Sequence, residues 1–329
     1  MQRRSGRSGA ETQGYIDRLR AFLAELASVR WPAILLNLPA LLAELLADAL
    51  DRGVAAEHCR SVIRERRLTP PPKQSASWPW PLRVHLLGGF RLDRDEAPVA
   101  LGAKPPTRAL DILRALAVSR DGACSLDTLQ DRLWPDLDGD QAKAACEQAL
   151  HRLRKLLGDA DLIVQREGRL RLDADKVFVD LSAWEGRLRP ALAADDGEAA
   201  TAERERLFFD FPGPLLLNER LASWLLPVTE RVRRALVDLA IRVGKERERR
   251  GEVSEALAIY LRALDFYPDA GRLHKSLIEA RLEQNDVTGA IEDFARYERT
   301  MRAADAEPSP AIVALVKPLR ATGRLDRDA

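Results

Sequence analysis

Cysteine and histidine are scarce in this chain of 329 residues, which holds three of the first and four of the second. The cysteines, Cys59, Cys124 and Cys146, stand far apart, and the histidines show no ligand spacing. An odd number of distant cysteines does not fit a disulfide framework, so we expect buried free thiols in a reducing cytoplasm. The pattern predicts neither a metal site nor a disulfide-stabilised secreted fold.

Uninterrupted hydrophobic runs and phosphate-binding glycine motifs are also missing. The most apolar stretch, residues 31–50, contains Asn37, Glu44, Asp48 and two prolines, which favours a buried helix over a membrane span. The basic start of the chain lacks the apolar segment of a secretory signal. Neither a GxxxxGK(S/T) motif nor a cluster of nucleophile and base occurs, so we predict no enzymatic activity and no cofactor.

Aromatic residues make up only 5% of the chain, whereas 46% is hydrophobic and 31% charged. Alanine, leucine and arginine dominate, a composition that favours helices. The length suits two or three domains, and changes of pattern divide it into six segments. These are a disordered lead-in (1–14), a helical segment (15–68), a linker rich in proline and tryptophan (69–81), a mixed segment (82–182), a second helical segment (183–310) and a C-terminal tail (311–329).

The first half of segment 82–182 has two strand signals and two helix signals. Apolar residues alternate from Leu82 and break at the glycine pair 88–89, as they do at a turn between strands. Two stretches with apolar residues at helical spacing follow, and we expect Thr107 and Ser125 to be their N-caps.

The second half of segment 82–182 predicts a third helix and a hairpin. The helix is predicted over 141–157, and it should end at Gly158 in the left-handed conformation that commonly closes helices. Two short β runs over 162–173 flank a predicted turn at Glu167–Gly168. Three helices followed by a β-hairpin indicate a winged helix-turn-helix, whose third helix enters the major groove of double-stranded DNA.

A helical projection divides the third helix into an apolar and a polar face. Leu150, Leu153 and Leu157 lie together, so we expect them in the core. A polar face by itself is typical of a solvated surface helix, and only its place before a hairpin favours DNA recognition. The residues opposite the leucines are Ala144, Gln148, His151, Arg152 and Lys155.

Positive charge is concentrated in this part of the chain. Segment 82–182 holds 16 basic and 17 acidic residues, whereas residues 141–171 hold seven basic and four acidic ones. The hairpin carries Arg166, Arg169 and Arg171, which are suited to phosphate contact. The small surplus predicts modest non-specific binding, because few phosphates can be neutralised.

The segment 183–310 contains an internal repeat with a period of 34 residues. GEVSEALAIY begins at Gly251 and NDVTGAIEDF at Asn285, so that Ala256 aligns with Ala290 and Tyr260 with Phe294. This period, with small and aromatic residues at fixed positions, is typical of tetratricopeptide repeats. The predicted fold class is therefore mainly α with a small β component: a winged helix-turn-helix domain followed by a tetratricopeptide-like helical domain.

The stretches LRVHLLGGFRLDRDEAPVALGAKPPTRALDILRALAV, LDTLQDRLWPD and ALHRLRKLLGD resemble the OmpR-type winged-helix domain of bacterial transcriptional activators. The following LFFDFPGPLLLNERLASWLLPVTERVRRALVDLA, together with the repeat, is similar to the bacterial transcriptional activator domain. Both occur in antibiotic-pathway regulators. Segment 15–68, together with the WPWP linker that follows it, resembles the end of a MalT-like helical array.

This resemblance implies a transcriptional activator that binds DNA and contacts RNA polymerase through the loop before the third helix. It also implies that the helical repeats mediate homodimerisation or bind a protein partner. The implied DNA-binding residues are Lys143, Ala144, Gln148, His151, Arg152, Lys155, Arg166, Arg169 and Arg171. The implied polymerase-contact loop contains Asp136, Asp138 and Asp140.

The third helix departs from the family pattern at its start. Ala144 and Ala145 stand where larger polar residues are common, and Glu147 is acidic. Glu147 could accept a hydrogen bond from a cytosine amino group or pair with Lys143 or His151 one turn away, and we favour the pairing. Together with the near-neutral domain, Glu147 leaves a second hypothesis open, namely a protein-interaction scaffold on the helical repeats with weak or lost DNA binding.

Overall fold

The computed structural model describes residues 13–21, 23, 24, 38–72 and 74–325. The chain forms two compact units, of which the first contains residues 1–86 and 90–186 and the second residues 87–89 and 187–329. The predicted lead-in (1–14) and the last residues of the predicted tail fall largely outside the described residues.

The first unit begins with helices and a mixed sheet. Residues 13–21 are helical, and they precede α1 (Pro39–Asp51) and α2 (Ala56–Arg66). The sheet has the order β3-β2-β1-β7, in which β1 pairs antiparallel with β2 and parallel with β7. Its strands are β1 (Leu82–His85), β2 (Arg91–Arg94), β3 (Ala97–Pro98) and β7 (Val177–Val179).

The rest of the first unit is three helices and a second, antiparallel sheet, as the winged-helix prediction requires. The helices are α3 (Thr107–Val118), α4 (Leu126–Leu133) and α5 (Gly139–Leu157). The sheet has the order β4-β6-β5. Its strands are β4 (Ala123–Ser125), β5 (Ile163–Arg166) and β6 (Arg169–Leu172).

The predicted helix caps are confirmed at one of two positions. The Ser125 side chain accepts a hydrogen bond from the backbone N–H of Thr128 at 3.1 Å, as an N-cap does. The prediction for Thr107 is wrong, because Pro106 occupies the cap position and Thr107 is the first helical residue. The Thr107 hydroxyl instead lies 3.4 Å from the Pro105 carbonyl oxygen.

The segment 69–81, predicted to be a linker, is packed against the first unit rather than extended as a spacer. Trp78 and Trp80 are buried in one hydrophobic cluster with residues of α1, α2 and β7. The Trp80 indole N–H donates to the Ser75 carbonyl oxygen at 2.8 Å, and its ring lies 5.7 Å from that of Phe178. Large aromatic side chains bury too much apolar surface to remain in a solvated linker.

The second unit is helical. Besides residues 87–89, which pair through Leu87 with Leu215, it contains the end of α6 and all of α7 to α12. The helices are α6 (Asp180–Ala193), α7 (Glu198–Phe209), α8 (Leu226–Arg249), α9 (Val253–Phe266), α10 (Gly271–Glu283), α11 (Val287–Ala303) and α12 (Pro310–Leu325).

Burial confirms the alignment of the 34-residue repeat. Ala256 and Ala290 are fully buried in α9 and α11, as are the aromatic pair Tyr260 and Phe294.

The prediction of a C-terminal tail over 311–329 is wrong for most of that segment. Helix α12 occupies Pro310–Leu325, and its Ile312 and Val316 pack into a hydrophobic cluster with α11. Apolar residues four positions apart bury one stripe of this last helix.

Gly244 allows α8 and α9 to approach closely. A β-carbon added at Gly244 would collide with the ring and hydroxyl of Tyr260. The Tyr260 ring cannot move aside, because it is fully buried and its hydroxyl donates to Glu248 Oε1 at 2.6 Å. A glycine in the middle of a helix is normally unfavourable, so this position is explained by packing and not by helix propensity.

We expect Gly244→Ala to destabilise the second unit by about 1–3 kcal/mol, the range for overpacking a core. Native-state hydrogen exchange of α8 and α9 measures this loss. The control is Gly186→Ala in α6, the last residue of the first unit, where an added β-carbon meets nothing within 4 Å and the exchange of α6 is measured. That control should be neutral or gain up to about 1 kcal/mol, and an equal gain at Gly244 would contradict the packing explanation.

Candidate nucleic-acid interface

Helix α5 presents the predicted polar face to solvent. Its buried residues include Leu150, Leu153 and Leu157, as predicted, together with Cys146. The structure exposes all six residues of this helix that were predicted to bind DNA: Lys143, Ala144, Gln148, His151, Arg152 and Lys155.

These exposed cations are free to meet a ligand. Within the described residues, Lys143, Arg152 and Lys155 form no ion pair shorter than 4 Å. A cation that already pairs with a carboxylate must give up that contact before it binds phosphate, and these three face no such cost. Ion pairs therefore do not neutralise these three cations, although the exposed carboxylate of Glu147 lies between Lys143 and Arg152 in the helix.

Both ends of α5 are capped. The helix begins at Gly139, two residues before the predicted start, because the Asp138 carboxylate accepts a hydrogen bond from the Gln141 N–H at 2.9 Å. It ends at Gly158, whose φ of 78° confirms the predicted left-handed closure. In the last turn, Arg154 is half-buried and donates to the Ile163 carbonyl oxygen at 3.5 Å. Arg154 therefore links α5 to β5 and is not part of the exposed face.

The hairpin β5–β6 places three arginines on one face of its sheet. Arg166 pairs directly across the strands with Arg169, and Arg171 lies two residues further along β6. Side chains two apart on a strand share a face, as do directly opposed residues. The two-residue turn has φ of 49° at Glu167 and 70° at Gly168, the signature of a type I′ turn, which confirms the predicted position.

The charges on this arginine face are incompletely balanced. Arg169 lies 3.6 Å from the exposed Asp121 carboxylate, whereas Arg166 and Arg171 have no ion pair among the residues that the structure describes. Like charges placed directly opposite each other in a sheet are destabilising. An anion bound at this face would relieve that repulsion.

A cleft of about 360 Å³ separates the first half of α5 from the tip of the hairpin. Lys143 and Glu147 line it from the helix, Gln165 and Arg169 from the strands, and Asp127 from the start of α4. Asp127 and Gln165 could not be predicted from the sequence, since only the register between strands and the packing of α4 bring them here. The cleft holds acidic as well as basic groups.

The pairing that we favoured for Glu147 is not formed. In the part of the chain that the structure describes, no ion pair within 4 Å joins Glu147 to Lys143 or His151. The Glu147 side chain is exposed and lines the cleft. Water solvates an exposed carboxylate well, so an ion pair one turn away gains little.

The segment that leads into α5 exposes the three aspartates of the predicted polymerase-contact loop, Asp136, Asp138 and Asp140. Asp138 is the N-cap of α5, and Asp140 lies in the first turn, where a negative charge stabilises the helix. Leu137 between them is also exposed, at 40%. Helix capping accounts for Asp138, so contact with a polymerase remains a prediction for this loop.

The cysteines are buried free thiols, as predicted. Burial raises the pKa of the thiol of Cys59, Cys124 and Cys146, which makes them unreactive. Over the described ranges, no group of three or more potential ligand side chains could hold a metal ion. A search of the same residues finds no helix with the length and apolar character of a membrane span.

No family model matches the chain. In sequence it is 27% identical over 263 residues to the regulatory protein AfsR of Streptomyces griseus. The aligned region covers 75% of this chain but only 26% of the length of AfsR. In structure it is similar to EmbR of Mycobacterium tuberculosis, solved in complex with a low-affinity phosphopeptide, with a TM-score of 0.54 and 22% identity. That likeness covers 74% of this chain and 65% of EmbR, and it shows a shared fold.

Proposed function

We propose that the chain is a sequence-specific, DNA-binding transcriptional regulator that acts as an activator in the cytoplasm. Helix α5 inserts its exposed face into the major groove, and the hairpin β5–β6 contacts the phosphate backbone. The observation that carries this proposal is the presence, within one compact unit, of two exposed basic surfaces, the face of α5 and the arginine face of the hairpin. Among the described residues, Arg169 is the one cation of these surfaces that has an ion pair. The similarity to a protein named as regulatory supports it.

The types of side chain on the two surfaces suit base reading by α5 and phosphate contact by the hairpin. Side chains on α5 vary in type, with an amide, an imidazole and a guanidinium that can form hydrogen bonds to base edges. The charged side chains of β5 and β6 on the arginine face are all arginines, and their contacts with phosphates give affinity without sequence information. Ala144 and Ala145 near the start of α5 let the helix backbone approach the bases closely.

Two further roles belong to the same proposal. The loop with Asp136, Asp138 and Asp140 contacts RNA polymerase, with Leu137 as an exposed apolar side chain between the acidic groups. The helical repeats of the second unit mediate homodimerisation or bind a protein partner.

Selection of bound duplexes from a random DNA pool, followed by mobility shift with a salt titration, tests the proposal. We expect selection to converge on one sequence motif, with affinity that falls as salt rises. A pool that remains random after repeated rounds would contradict sequence-specific binding. It would favour the second candidate, an interaction scaffold, for which the acidic groups in the cleft beside α5 are the specific support.

Arg152→Ala is expected to weaken binding to the selected duplex by about 1–3 kcal/mol if Arg152 reads a guanine. The reason is its exposed position in the second half of α5, where none of the residues that the structure describes forms an ion pair with it. Affinity for unrelated duplexes should change far less. Arg299→Ala, which removes an exposed arginine from α11, is the matched control, and an equal loss in both variants would remove Arg152 from the reading face.

Arg169→Ala is expected to lower affinity for all duplexes alike and to reduce the salt slope by about one unit, because a phosphate contact is lost. Asp121→Asn is its counterpart, since it removes the carboxylate 3.6 Å from Arg169 and should raise affinity uniformly. Mobility shifts at several salt concentrations measure both effects. A loss confined to the selected sequence would show that Arg169 contacts a base.

A further inference from the structure

The last turn of α5 is bound by a residue from a distant strand. Arg94, at the end of β2, donates from Nη1 to the Leu157 carbonyl oxygen at 3.2 Å. The last carbonyls of a helix have no partner within it, and they carry partial negative charge that a cation stabilises. The guanidinium lies over Gly158, where an added β-carbon would collide with it. Gly158 thus provides both the helix turn and the space for Arg94.

The turn that carries Arg94 is bound on its other side by α2. Arg94 opposes Ala97, and a two-residue turn, Asp95–Glu96, joins β2 to β3. The Glu96 carboxylate lies 3.2 Å from both the Arg60 and the Arg64 guanidinium. The hairpin β2–β3 therefore contacts α2 through Glu96 and the end of α5 through Arg94, two residues apart.

We infer that the hairpin β2–β3 positions helix α5 for base recognition, with Arg94 as the contact residue and Glu96 as its anchor to the N-terminal helices. This inference rests on the proposed DNA-binding function. Base reading requires side chains within a few tenths of an ångström of the base edges, so a small rotation of α5 weakens specific contacts. Phosphate contacts tolerate such a shift, since charge attraction is less directional.

The test compares the full chain with Arg94→Ala, Glu96→Gln and the double variant. For each we measure the ratio of affinities for the selected duplex and an unrelated duplex of equal length. Arg94→Ala should lower this ratio about fivefold, the order of one hydrogen bond, and leave the salt slope unchanged. Glu96→Gln should lower it less, and the double variant should match Arg94→Ala, because Glu96 acts through Arg94.

Two controls separate positioning from loss of charge. Arg94→Lys should restore part of the ratio, because an ammonium also donates to a carbonyl oxygen. Arg91→Ala removes an exposed cation from the same strand and should leave the ratio unchanged. A salt slope lowered by one unit in Arg94→Ala would overturn the inference in favour of direct phosphate contact. Independent, additive effects of Arg94 and Glu96 would overturn the anchoring role.

Hydrogen exchange without DNA makes the result independent of the proposed function. In Arg94→Ala, amides of residues 153–158 should exchange about fivefold faster, while those of α3 should not change. Unchanged exchange at the end of α5 would overturn the inference whatever the DNA result. If the wild-type chain selects no sequence and the exchange still changes, the contact holds the helix and the proposed DNA function fails.

Discussion

Trp80→Ala is expected to destabilise the first unit by about 3–5 kcal/mol, the range for removing a large buried aromatic side chain. Trp80 is 1% exposed and fills the space between the N-terminal helices and Phe178 of β7. Its removal also leaves the Ser75 carbonyl oxygen without the indole N–H. The loss should reach both α1–α2 and the mixed sheet.

Native-state hydrogen exchange is the suitable measurement, because a chain with two compact units is not expected to unfold in one step. Trp80→Phe keeps most of the apolar ring and loses the hydrogen bond, so it should cost about 1–3 kcal/mol. Trp134→Ala, at the partly exposed end of α4, is the matched control and should leave the exchange of α1 and α2 unchanged. Wild-type exchange there in Trp80→Ala would mean that segment 69–81 is a spacer after all.

The second large effect is expected at Arg204, which is 1% exposed in α7. Its Nε donates to the Ala191 carbonyl oxygen at 2.8 Å and its Nη2 to that of Ala194 at 2.6 Å. Its Nη1 lies 2.9 Å from the Asp196 carboxylate. One planar guanidinium thus satisfies the C-terminal end of α6 and a carboxylate at once.

Arg204→Ala should destabilise the second unit by about 3 kcal/mol, because the carbonyl oxygens of Ala191 and Ala194 both lose a charged donor and each such hydrogen bond contributes about 1.5–3 kcal/mol. Asp196 is partly exposed and keeps Arg242 and Arg249 as partners, so its loss of Arg204 adds little. Hydrogen exchange of α6 and α7 is the measurement. Arg204→Lys should recover little, since an ammonium cannot reach three acceptors in a planar arrangement.

Arg206→Ala is the matched control, because Arg206 lies on the same helix with 64% of its side chain exposed. Its substitution should change stability by no more than about 0.5 kcal/mol. Equal effects at positions 204 and 206 would show that the buried hydrogen bonds of Arg204 contribute nothing beyond surface charge. The first unit should keep wild-type exchange in both variants.

Much of the local structure follows from patterns close together in the chain. Ser125 and Gly158 mark helix ends through their own side-chain or backbone chemistry, and the turn at Glu167–Gly168 follows from a single glycine between β runs. The leucines of α5 were placed in the core from helical spacing alone. The prediction that Thr107 is an N-cap is wrong because α3 begins one residue earlier than expected, with Pro106 at the cap position.

Less of the candidate interface could be predicted from the sequence. The exposed residues of α5 could be predicted because helix periodicity fixes which side chains share a face. That the arginines of the hairpin form one face required the register of β5 and β6, and the cleft required the position of α4. Glu147 shows that helical spacing alone does not predict ion pairs. Lys143 and His151 lie one turn away, but water solvates the exposed carboxylate well and an ion pair would gain little.

By itself, the sequence determined the three helices between β3 and the hairpin β5–β6, the turn at Glu167–Gly168, the 34-residue repeat and the division of α5 into a core face and an exposed face. These features depend on residues within a few turns or strands of one another. Only the tertiary structure decided that segment 69–81 belongs to the core, that β7 pairs with β1, and that Arg94 reaches Leu157 across 63 positions of chain. Contacts of that kind depend on how separate elements pack, and no local pattern of residues encodes them.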